Sequence, residues 1–155
     1  MVFTPDLAIT SQRVMTSYGE RPAAILIRGE KILDVVSKQQ IPSDCPVEDM
    51  ANDVVMPGLV DTHVHINEPG RTDWEGFETA TKAAAAGGIT TLVDMPLNCI
   101  PVTTTIDALN QKIAATKNQL WIDCGFYGGL IPDNIHDFES LADAGVLGFK
   151  AFLSH

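Results

Sequence analysis

From residue 57 onward the chain repeats one pattern, and that pattern restricts the fold more than any other feature. Short apolar runs at 59–66, 89–95, 120–127 and 146–153 read as strands, with segments of helical spacing between them. Parallel strands need long crossovers, so strand and helix in alternation predict βαβ units and a parallel sheet. In the first crossover, Thr72-x-x-Glu75 has the form of a capping box. Trp74, Phe77, Thr81, Ala84 and Ala85 follow as an inner stripe, and Gly87-Gly88 permits a left-handed stop. Ile106, Leu109 and Ile113 mark a second helix; Ile135, Phe138, Leu141 and Ala142 mark a third, ended by Gly145. Trp121 and Phe126 are expected in the core. An open doubly wound sheet and part of a (β/α)8 barrel both satisfy this pattern. A complete barrel takes about 250 residues, so the stretch 57–155 would supply about half of one.

Residues 1–56 differ in character, with short β-like runs and frequent turn signals. Residues 23–27 and 31–36 flank Arg28-Gly29-Glu30 as a hairpin, and 41–46 reads as a loop. The expected organisation is a small β subdomain over 1–56 followed by the α/β stretch over 57–155.

Composition narrows the class of partner. Hydrophobic residues make up 45% and charged residues 19% of the chain, which is enough to build a core. Twenty acidic residues against ten basic ones leave a net charge of −10. An acidic surface repels phosphate, so neither nucleic acid nor an anionic membrane is an expected partner. Cys45, Cys99 and Cys124 are odd in number and form no CxxC, which fits reduced thiols. The start of the chain lacks the basic and apolar regions of a secretory signal, and the expected location is the cytoplasm.

Two anomalies carry chemistry. Asp61, His63 and His65 fall at alternate positions near the end of the first strand and would share a face. Active sites of α/β folds lie at such strand ends. Two imidazoles there can bind a borderline metal such as zinc, and Asp61 could orient one of the rings. Lys150 is the second anomaly, a cation within the apolar run 146–153. It could snorkel to water, act as a base or nucleophile of lowered pKa, or add carbon dioxide to become a carbamate. A carbamate has two anionic oxygens and could bridge two metal ions. His136 reads as a surface or capping residue, and Asp94 and Asp123 could serve either structure or chemistry. GxGxxG, P-loop and GxSxG motifs are absent from the sequence.

The run Val60-Asp-Thr-His-Val-His-Ile-Asn-Glu-Pro-Gly-Arg-Thr72 resembles the metal-binding signature of the cyclic amidohydrolases. Residues 74–91, Asp94-Met-Pro-Leu-Asn98 and Gly148-Phe-Lys-Ala-Phe152 continue the likeness in order, and are most similar to the allantoinase branch. The resemblance implies a metal-dependent (β/α)8 TIM-type barrel preceded by a small β-sandwich, opening the hydantoin ring of allantoin to allantoate. It also implies two divalent ions, zinc first, with cobalt, manganese or iron(II) suited to the same donors. His63 and His65 would bind one ion, and Lys150, carboxylated by CO2, would bridge both. Asn98 and Asn67 would contact substrate. Dihydroorotases usually carry Arg at the position of Asn67 to pair with a substrate carboxylate, which allantoin lacks. A cytoplasmic homotetramer is the implied assembly.

The family pattern also needs two further His ligands and a proton-shuttling Asp after the fourth strand, and His155 lies too close to Lys150 to be one of them. The 155-residue chain by itself is therefore expected to be inactive. The alternatives are a dihydroorotase or a hydantoinase/dihydropyrimidinase. Outside the enzymes, the alternative is a non-catalytic relative that serves as an interaction partner.

Overall fold

A computed structural model of the chain describes residues 4–151. The chain divides into two compact units, Met1–Pro57 and Gly58–His155.

The first unit is built on a five-stranded sheet. Strands β1 (Leu7–Thr16), β2 (Gly19–Arg28), β3 (Lys31–Val36) and β4 (Val47–Asp49) take the order β3-β2-β1-β4, and β5 (Val54–Val55) also pairs with β1. The β2–β3 pair is antiparallel and turns at Gly29, whose φ of 55° suits a residue without Cβ. Polar residues obscure β1 in the sequence, because Thr10 and Ser11 are buried within it. Both are satisfied there: Thr10 Oγ1 donates to Asp49 Oδ1 at 2.9 Å and Ser11 Oγ donates to the Asp53 carbonyl at 2.6 Å.

The second unit is a parallel sheet in the order β6-β7-β8-β9. Its strands are β6 (Leu59–Val64), β7 (Ile89–Asp94), β8 (Asp123–Leu130) and β9 (Gly148–Ala151). Helices α1 (Phe77–Ala86), α2 (Ile106–Ala115) and α3 (Phe138–Asp143) connect them. Crossovers of this length carry the chain back to begin the next strand in the same direction. Ile66, Phe77 and Leu92 form the buried core, with Val64, Ala80, Ala84, Phe126 and others packed around it. Phe126 meets Phe77 edge to face at 6.2 Å.

Several local expectations give way to longer-range forces. The capping box at Thr72 and Glu75 does not start α1, whose N-cap is Gly76. Glu68, from the preceding loop, accepts the first free N–H instead, at 2.9 Å from Phe77 N. With the start moved to Phe77, Trp74 falls outside the helix and is exposed, its ring 4.7 Å from the Arg71 guanidinium carbon. Ala85 is exposed as well. Trp121 precedes β8 and is exposed, with Lys82 over its ring. In α2 the buried face is Ala108, Leu109 and Lys112, so Ile113 turns toward solvent. Ile135 and Phe138 are exposed, while Leu141 is the buried anchor of α3. Residues 152–153 of the last expected strand, and His155, lie outside the described residues.

Candidate metal centre

The parallel strands of the second unit all deliver their C-terminal ends to one edge, where their following loops are tied together. Beyond β6, Val64 O accepts from Met95 N at 2.7 Å, and Pro69 O accepts from Ile100 N at 2.8 Å. Gly70 lies under that second contact at φ 89°, and a Cβ there would stand 2.6 Å from Ile100 Cβ. Beyond β7, Thr103 O accepts from Gly129 N of β8 at 2.7 Å. Asn134, buried after β8, donates through Nδ2 to Thr104 O and Gly129 O and accepts from Ile131 N, each at 2.8 Å. Each loop thus braces the next.

On this edge Lys150 Nζ lies 3.0 Å from His63 Nε2 and 3.4 Å from His65 Nε2. The contact joins the two outermost strands of the order β6-β7-β8-β9. Three strand spacings in a flat sheet would separate them by about 14 Å, with side chains perpendicular to the plane. Contact therefore requires the sheet to curl toward the face that carries these residues.

The two imidazoles have centroids 5.4 Å apart and present the same ring nitrogen to one point. Toward a lysine ammonium, which can only donate, each Nε2 would offer a lone pair. Asn98 Nδ2 lies 3.4 Å from His65 Nδ1. Burial first, then the charges of Lys150, His63 and Lys112, holds the His65 imidazole below its ordinary range. The donor set therefore fits a divalent metal, with two Nε2 lone pairs directed to a shared point and a lysine beside them. Among the described residues no group of three His, Cys, Asp or Glu side chains adds to it.

The remaining expected residues take varied positions. Asp61 Oδ1 accepts from the His63 backbone N–H at 3.0 Å, bracing the chain from which that imidazole projects. Between Asp61 and Val64 the pairing of β6 with β7 shifts register, and His65 lies beyond the strand end. Simple alternation along a strand therefore does not by itself aim the two rings. Asn98 is held at φ 69°, a conformation Asn tolerates better than most side chains. Asn67 is buried, and its Oδ1 has no hydrogen-bond partner among the described residues. His136 is exposed beside Asp137, at 3.4 Å. All three cysteines are free thiols, and burial pushes Cys124 up to about 12.

Sequence reasoning missed Lys112. It forms a buried ion pair with Asp94 at the end of β7, the two side chains being 1% and 0% exposed. Burial pushes the Asp94 carboxyl up to about 6 against the downward pull of Lys112. The available signal was a lysine three residues beyond Leu109 and four beyond Ala108, on the helix's apolar face.

The amidohydrolase family model matches residues 54–144. The chain belongs to the amidohydrolase family. As an amidohydrolase sequence it is 55% identical over 150 residues to an allantoinase from Streptomyces avermitilis, covering 96% of this chain and 34% of that relative. It is 46% identical to an allantoinase from Saccharomyces cerevisiae, covering 96% of this chain and 35% of that one. Among solved amidohydrolase-like structures, an L-hydantoinase from Arthrobacter aurescens superposes with a TM-score of 0.87 at 33% identity. That match covers 97% of this chain and 33% of the hydantoinase. The chain thus spans about a third of the length of the relatives it matches.

Proposed function

We propose that the protein carrying this chain is an allantoinase, a metal-dependent hydrolase that opens the hydantoin ring of allantoin. The convergence of His63 Nε2, His65 Nε2 and Lys150 Nζ supports the chemistry. Identity of 55% to an allantoinase, against 33% to a hydantoinase, favours the substrate. The curl implied by contact between β6 and β9 agrees with a barrel that the rest of a longer chain would complete, as it would complete a β-sandwich from the first unit. Two further His ligands and a proton-shuttling Asp would come from the same region. A cytoplasmic homotetramer belongs to the same reading. Among the described residues no helix is long and apolar enough to cross a membrane.

In this reading His63 and His65 would hold one divalent ion, zinc first. Lys150 would serve both ions as a carbamate, formed when its neutral amine adds to the carbon of CO2 and releases a proton. Bound there, the metals supply Lewis acidity, activating water and polarising the ring carbonyl. The residues of the chain do the positioning. Asn98, exposed beside the His65 ring, would contact substrate, and Asp61 steadies the His63 backbone. Asn67 offers a neutral amide where a carboxylate-bearing ring would need a cation. Hydrolysis adds the oxygen of water to the carbonyl carbon and breaks the ring C–N bond, and the leaving nitrogen takes a proton.

Hydantoinases share the fold, so the test must separate rings. The zinc-reconstituted natural gene product, offered allantoin, dihydroorotate and dihydrouracil, is expected to prefer allantoin by at least about a hundredfold in kcat/KM. Preference for either of the other rings would overturn the assignment.

A further inference from the structure

The buried Asp94–Lys112 pair does more than neutralise itself. Strand β6 ends at Val64, and Ile66 lies beyond it with no strand left to pair its backbone. Both polar groups of residue 66 are instead held by the ion pair. Ile66 N donates to Asp94 Oδ1 at 2.7 Å, and Ile66 O accepts from Lys112 Nζ at 3.3 Å. Asp94 Oδ2 meets Lys112 Nζ and closes the arrangement. The Ile66 side chain is fully buried against Phe77 and Leu92, so the residue is gripped through backbone and side chain together.

Residue 66 is bonded directly to His65, and the grip fixes the point at which the chain leaves the sheet. A buried ion pair is costly to assemble, and an apolar pair would often stabilise the fold as well. Specific contacts to a backbone amide and carbonyl are something an apolar pair could not supply. We propose that Asp94 and Lys112 are positioning residues for the metal centre: by holding both sides of Ile66 they set the direction of the His65 imidazole relative to His63 and Lys150. The inference rests on reading His63 and His65 as metal ligands. Neither Asp94 nor Lys112 need touch metal or substrate.

The test measures Co2+ affinity by visible absorption, and deuterium uptake across residues 63–67, in the full gene product. Lys112→Met is compared with the parent below the melting temperature of each. If Lys112→Met fails to fold, Asp94→Asn/Lys112→Met, which leaves no lone buried charge, takes its place. A positioning role predicts Co2+ affinity lowered by about tenfold or more, the scale seen when groups supporting metal ligands are removed. It also predicts faster uptake at 63–67 while strand β7 stays protected. A merely structural pair would lower the melting temperature and leave the affinity of the folded protein alone. Unchanged affinity, or weaker affinity with unchanged uptake at 63–67, would overturn the proposal. If the parent binds no Co2+, the metal reading falls by itself, and uptake at 63–67 then decides whether the grip exists.

Discussion

On the proposed allantoinase reading, Lys150→Ala in the full gene product is expected to slow allantoin hydrolysis by at least about a thousandfold, a loss of ~4 kcal/mol in transition-state stabilisation. Lys150 is the one lysine brought to both imidazoles, at 3.0 and 3.4 Å, among the described residues. As a carbamate it would exchange one positive charge for one negative charge shared over two oxygens, so its removal subtracts ligand atoms as well as a side chain. Loss of a single preorganised stabilising group at a reacting centre already costs about a hundredfold to a thousandfold. Loss of a bridge should exceed that. The side chain is only partly buried on β9, so the variant should keep its fold by circular dichroism. Steady-state kinetics beside metal analysis gives the answer. Near-parental kcat would remove Lys150 from the centre.

The largest effect on stability is expected at Phe77. Its side chain is fully buried, and it joins α1 to the core through Ile66 and Leu92. Truncation to alanine removes the edge-to-face contact with Phe126 and leaves a cavity that helix and sheet cannot both close. Phe77→Ala should lower unfolding free energy by about 3–5 kcal/mol. Against a typical total of about 5–15 kcal/mol, that would leave the fold marginal. Urea denaturation should show an earlier midpoint, and a loss below about 1 kcal/mol would mean the aromatic is not the keystone of this core.

The success and failure of sequence reading divide along the range of the forces involved. The alternation of strand and helix beyond residue 57 follows from local hydrophobic spacing, and β6 to β9 appear in the expected sequence. Gly88, at φ 80°, sits where a left-handed stop is expected after α1. Trp74 and Trp121 mislead because size and hydrophobicity do not reveal which side of an element faces outward. The true cap of α1 comes from Glu68, nine residues before Phe77, beyond the reach of a local motif. His63, His65 and Lys150 could be singled out because each is polar within an apolar strand pattern. Their meeting depends on a curled sheet that brings together residues 87 apart in sequence, and a linear pattern does not carry that curvature. Asp94 could be singled out in the sequence and Lys112 was missed, because their shared grip on Ile66 requires three elements in place at once.

Metal content tests the central claim most directly. The purified gene product and its His63→Ala/His65→Ala variant would be dialysed against metal-free buffer and analysed by mass spectrometry for zinc, cobalt, manganese and iron. The account predicts stoichiometric divalent metal in the parent and its loss in the variant, with the two circular dichroism spectra superimposable. Equal metal content in both proteins would contradict it, because the ions would then be held somewhere other than at His63 and His65.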